Sequence, residues 1–256
     1  MNRGAGRQRT FFTRQDGLEF EHLLGEGHDR FGVEVHAYCL MPNHYHLLVH
    51  CPMGDLGRFM QHVAGVYTQR VNDRRGRDGA LFRGRYHALT VHDERYLLAA
   101  ARYIHRNPLA LGTAPLSDYR WSSHATYLGD RARPRWLRTE TVLDFVAGGR
   151  AAFAEMVEDP AVDFWSAVPE EHLLDFIGLV VDEVDPTSSG NAQKANRTIA
   201  MELARRIDGD TRARIMTALG FDDHLALERA VRRAEQRTSA EPVLREIVDT
   251  IRRHAA

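Results

Sequence analysis

The chain has 256 residues, 43% of them hydrophobic, and a formal net charge of −1, which fits one large or two small domains of ordinary soluble globular composition. No apolar stretch approaches the roughly 20 residues needed to cross a bilayer, and Met1 to Arg9 has no apolar core for a signal peptide, so a cytoplasmic protein without membrane contact is expected. Cys39 and Cys51 are the only cysteines, which suits reduced thiols better than a disulfide framework or a zinc-thiolate site.

Residues 14 to 31 place Leu18, Leu23, Leu24 and Phe31 at helical spacing, with Gly32 as a stop. From Val33 to Cys51 the chain alternates and is rich in Val, Tyr and His, broken at Met41-Pro42-Asn43, which predicts a two-stranded hairpin. Asp55 is a candidate cap for a helix that carries Leu56, Phe59, Met60, Val63, Val66, Tyr67 and Val71 on one face as far as Arg75-Gly76. Leu81 to Val91 reads as a further strand. Asp93 caps a helix with Tyr96, Leu97, Ala100, Tyr103 and Ile104, and Pro108 lies near its end. The order predicts an α+β fold, a ferredoxin-like βαββαβ domain short of its leading strand.

Beyond residue 140 short helices and an acidic connector are expected, with Pro186-Thr187-Ser188-Ser189-Gly190 as a boundary and an all-α helical region after it. The expected domains are residues 1–130, 131–190 and 191–256. Charge follows a similar division: residues 1 to 140 carry +6, residues 141 to 190 carry −10 and residues 191 to 256 carry +3. Two basic segments flanking an acidic connector hint at a polyanion such as nucleic acid.

His44, Tyr45 and His46 lie in the second half of the hairpin. Side chains alternate along a strand, so His44 and His46 share a face and make half of a metal site, although an isolated His-x-His is a weak signal for which a polar strand face is the default reading. On the helix after Asp93, Tyr103 and Asn107 are four apart and share a face. Packed against the strand, that helix would set a phenol and an amide oxygen beside two imidazoles. Such a donor set leaves a divalent ion with open positions, suited to polarising a phosphodiester. A tyrosine, with an ordinary pKa of about 10, becomes a useful nucleophile once a phosphate is activated and held in line with it. Tyr103 as a core residue, and Asn107 as a simple helix end before Pro108, are the alternatives.

Four segments carry a family resemblance: Met41-Pro42-Asn43-His44-Tyr45-His46-Leu47-Leu48-Val49, Leu81-Phe82-Arg83-Gly84-Arg85-Tyr86, Arg102-Tyr103-Ile104-His105-Arg106-Asn107-Pro108 and Trp121-Ser122-Ser123. They resemble, in order, the single-tyrosine HUH transposases of the IS200/IS605 type, within them the group associated with repetitive extragenic palindromes. The resemblance implies that His44, His46 and Asn107 hold Mg or Mn. It implies too that Tyr103 attacks single-stranded DNA near a hairpin, leaving a 5′-phosphotyrosine and a free 3′-hydroxyl. Arg83, Arg85 and Arg106 are candidates for phosphate contacts, and a homodimer is a possible assembly. His50 and His105 fall outside the pattern.

Members of that family begin with a strand running into an Asn-Arg-Gly turn, whereas Asn2-Arg3-Gly4 here follows Met1 directly. A truncated first strand is therefore expected, through an upstream start or a degraded copy. The segment from Ala195 to Arg206, with Gly220-Phe221-Asp222-Asp223-His224 and Ala230-Val231-Arg232-Arg233, resembles the helix-turn-helix domain of the replication initiator DnaA, with Leu225-Ala226 in place of its usual hydroxylic residues. The leading expectation is a DNA-cutting strand transferase. A domesticated or decayed protein that binds hairpin DNA or RNA without cutting is the second.

Overall fold

A β-hairpin lies at the centre of a computed structural model of the chain, which describes residues 1–113, 115–158, 223, 225, 226, 228 and 229. The chain divides into two units, Met1–Glu158 and Asp159–Ala256. In the first, β2 (Glu34–Met41) and β3 (His44–His50) pair antiparallel around Pro42-Asn43, and β1 (Asn2–Arg3) adds to the outer side of β3, giving the order β1-β3-β2. β1 covers only Tyr45 and His44 of that edge.

The strand expected over Leu81–Val91 is a single bridge, Gly4 to Phe82. Its partner is too short to carry a ladder. Arg83 N–H donates to Arg3 O at 2.7 Å and His87 N–H to Met1 O at 2.9 Å, so four residues advance on one side while two advance on the other. The surplus bows outward with Arg85 exposed, and the Asn2 side-chain amide donates to Gly84 O across the gap at 3.1 Å.

α1 (Arg14–Phe31) begins at a capping box in which Thr13 and Asp16 satisfy each other's backbone amides, and ends at Gly32, whose φ of 64° suits glycine at a helix end. The next helix runs as α2 (Leu56–Met60), a π turn (Gln61–Gly65) and α3 (Val66–Arg75). Asp55 precedes it without a side-chain capping bond, its carboxylate pairing instead with Arg58 at 3.3 Å. α4 (Glu94–Arg106) starts at Asp93, which accepts from Tyr96 N–H at 2.8 Å. α5 (His124–Leu128), α6 (Glu140–Leu143) and α7 (Gly149–Glu158) follow, and α7 lies against α4 and α5, so this unit takes in residues 131–158.

Strand alternation places two apolar clusters on opposite sides of the sheet. Tyr38, Leu40 and Tyr45 meet Phe20, Leu23 and Leu24 of α1 with Phe59, Val63 and Tyr67. Ala37, Cys39, Met41 and Leu48 meet Ala101 and Ile104 of α4 with Tyr127 and Phe153. His44 and His46 alternate with Tyr45 and so face α4. The free edge of β2 is covered by the chain at 121–123, where Leu40 N–H donates to Trp121 O at 2.8 Å and Ser123 N–H to Tyr38 O at 3.0 Å. The helical region expected over 191–256 lies outside the described residues, apart from Asp223 to Arg229 in part, where Asp223 Oδ1 accepts from Ala226 N–H at 2.6 Å. Among the described residues no helix is long and apolar enough to cross a membrane.

Candidate active site

His44 and His46 are both buried, their rings 5.1 Å apart and perpendicular. The preceding residue sets the first of them. Asn43 donates its amide to Arg7 O, which turns its oxygen Oδ1 toward His44 Nδ1 at 2.7 Å. An amide oxygen only accepts, so the imidazole proton sits on Nδ1 and the lone pair on Nε2, the arrangement a metal-binding histidine needs.

α4 packs on this face through Ala100 and Ala101, whose small side chains are buried against Ala37, Cys39, Met41 and Leu48. The Tyr103 ring meets the His46 ring edge to face, centroids 5.4 Å apart. Pro108 cannot extend the α-helical ladder, and the chain tightens into a 3-10 turn from Asn107 to Leu111. Asn107 thus ends the helix and still keeps its relation to Tyr103, its Nδ2 donating to Tyr103 O at 3.0 Å. With the amide nitrogen so engaged, Oδ1 of Asn107 is buried without a hydrogen-bond partner. A buried amide oxygen in that condition is costly unless something positive reaches it. Two imidazoles, one with its tautomer fixed, and an uncompensated amide oxygen fit a divalent ion with N/O ligands.

The three arginines are placed differently. Arg83 and Arg85 are exposed on the segment that replaces the expected strand. Arg106 donates to Val157 O at 2.5 Å and Glu158 O at 3.2 Å, and Arg102 to Met156 O at 2.9 Å, so both brace the end of α7. Arg3 belongs to the cluster instead. It stands opposite His44 in the β1–β3 register and is buried, and directly opposed residues in an antiparallel pair project to the same side. Its signal in the sequence was the Asn2-Arg3-Gly4 turn itself.

His105 is buried on the other side of α4. Its Nε2 lies 2.7 Å from Ser123 Oγ, which also accepts from Tyr38 N–H at 2.9 Å and donates to Tyr38 O at 3.2 Å. Burial holds the His105 pKa well below the ordinary imidazole value, helped by the neighbouring His124, which burial lowers to about 4. Both rings are neutral and structural.

An α+β domain that gathers two histidines, a tyrosine and an asparagine on one side of a small antiparallel sheet is the class the geometry defines. Residues 5–107 match the family model of the IS200-like transposases; the stretch includes His44, His46 and Tyr103 and ends on Asn107. The chain is similar to that transposase family over this part of its length. No curated protein and no solved structure matches it.

Proposed function

We propose that this protein is a transposase that cuts and rejoins single-stranded DNA beside a hairpin, working through a tyrosine on a reduced ferredoxin-like unit. The observation that carries the reading is the packing of Tyr103 on His46, with the unsatisfied Asn107 oxygen one helical turn further on. The similarity of residues 5–107 to the IS200-like transposases supports it. His44, His46 and Asn107 are the ligands for Mg or Mn, which when bound supplies positive charge to the phosphate being cut. Tyr103 is the nucleophile. Its oxygen bonds to phosphorus, the bond to the 3′ oxygen breaks, a 5′-phosphotyrosine remains, and the 3′ oxygen leaves as a hydroxyl with the proton the phenol gives up. Arg3, buried beside His44, offers a guanidinium toward the phosphate, while Arg83 and Arg85 are placed to meet the DNA backbone outside the site. The segment resembling the DnaA domain provides a second DNA contact, and two copies of the chain would bring two DNA ends together.

The test is cleavage of labelled hairpin-bearing single-stranded DNA by the full chain with Mn. The reading predicts a cut product that disappears on chelation and in His46→Ala. Binding without cleavage, or cleavage indifferent to chelator and to His46→Ala, would overturn it, the first result pointing to a hairpin-binding protein that has lost its chemistry.

A further inference from the structure

β3 carries a third histidine on the face of His44 and His46. His50 lies six residues beyond His44, about 20 Å along the strand, outside the family pattern and remote from Tyr103. Glu34 stands opposite it in the register. Between Val35 and Ala37 the β2–β3 register shifts, which leaves His36 as an extra residue on the bulged strand. A bulge of this kind re-aims a side chain. Here it lets Glu34 and His36 face the same side as Ala37, Cys39 and Met41 further along β2, so that both gather with His50. The His36 and His50 rings stack 6.2 Å apart, His50 Nδ1 is 3.3 Å from Glu34 Oε2, and one ligand atom from each of the three residues lies within 4.8 Å of the others.

Of the three, the buried histidine is already oriented as a ligand. His36 is 3% exposed, and its Nδ1 is 3.1 Å from Arg138 O. A carbonyl only accepts, so Nδ1 carries the proton and Nε2 the lone pair, the outer-shell arrangement that fixes metal-bound histidines. The carbonyl comes from a strip of chain docked on the strand, with Arg138 N–H donating to Val35 O at 2.8 Å and Leu137 bridging Val35. The other two ligands can move. His50 and Glu34 have side chains 61% and 33% exposed, and closing from 4.8 Å to the roughly 3.4 Å implied by metal–ligand bonds of about 2.1 Å needs only their rotation. Arg138 Nε is 3.9 Å from Glu34 Oε1, a long contact at a half-buried carboxylate.

We propose that Glu34, His36 and His50 form a second metal site, separate from the tyrosine centre, that takes a zinc-like divalent ion and ties the far end of β2 to that of β3. Two imidazoles and one carboxylate suit zinc, cobalt or nickel. The site fixes structure at the end of β2 and β3, and it stands whether or not Tyr103 cuts DNA.

The full chain, stripped of metal, is titrated with zinc by calorimetry, and with cobalt by visible absorption. The wild type binds one more equivalent of zinc than His50→Ala, and zinc raises its Tm by several degrees more than that of the variant. Glu34→Gln weakens the same equivalent at least tenfold. His50 is on the surface and Glu34→Gln keeps the size of the side chain, so both variants keep the wild-type circular dichroism without metal. His44→Ala with His46→Ala retains the equivalent. Equal zinc stoichiometry in the wild type and His50→Ala, or an equivalent lost in His44→Ala/His46→Ala and kept in His50→Ala, overturns the proposal.

Discussion

The rings of His46 and Tyr103 meet edge to face, 5.4 Å between centroids at an interplanar angle of 88°. This contact joins β3 to α4, two elements about sixty residues apart in sequence. Because both side chains come from regular elements, their relation is set by how the helix packs on the sheet, with no mobile loop between them.

The orientation of His44 depends on Asn43, whose oxygen lies 2.7 Å from Nδ1. Asn43→Ala removes that acceptor and frees the ring to change tautomer or turn. Affinity for Mn, measured by calorimetry or by the free-ion spin resonance signal, is expected to fall roughly 10- to 100-fold, the usual cost of losing such a partner. An unchanged affinity would mean that the His44 tautomer does not govern binding.

Ser123 joins α4 to the edge of β2, through His105 on one side and both backbone groups of Tyr38 on the other. Ser123→Ala leaves a buried imidazole N–H and a backbone amide short of a partner. Urea unfolding should show a loss of about 1–3 kcal/mol, with the same m-value. A loss within error of zero would show that the three contacts of Ser123 contribute no net stability.

His124 has its pKa lowered to about 4 by burial, and it stays neutral in the fold. In the unfolded chain an imidazole takes up its proton near about 6.5. The folded pKa is the lower one, so this contribution to stability is complete above about pH 6.5. It is lost as the pH falls, at about 1.4 kcal/mol per unit, until the folded ring also protonates near the bottom of that range. His105, lowered in the same direction, steepens the slope. Unfolding free energies at pH 7, 6 and 5 should decline, and His124→Phe should decline less steeply than the wild type.

Much of this arrangement is legible in the residues. Alternation around His44-Tyr45-His46 gives the faces of β3, Gly32 gives the end of α1, and Asp93 gives the start of α4, because each rests on local stereochemistry. The i to i+4 relation of Tyr103 and Asn107 is also found, although Asn107 lies just past the helix, because its own φ of −48° and ψ of −40° are still α-helical. The strand expected at Leu81–Val91 does not form, since a strand needs a partner of equal length and β1 offers two residues. That dependence is non-local, as is the place of Arg3, which only the β1–β3 register reveals. The bulge at His36 is hidden for a similar reason. It depends on which residues of β3 stand opposite, and no single stretch of sequence states that.

The central claim is that Tyr103 is the nucleophile, and trapping its covalent product with DNA tests it most directly. The full chain is incubated with end-labelled hairpin-bearing single-stranded DNA and Mn, denatured, and resolved by gel, with the adducted peptide identified by mass spectrometry. The account predicts a labelled protein band whose peptide carries the DNA phosphate on Tyr103, and its absence from Tyr103→Phe. A band of equal strength in Tyr103→Phe, or a phosphate mapped to another residue, would contradict it.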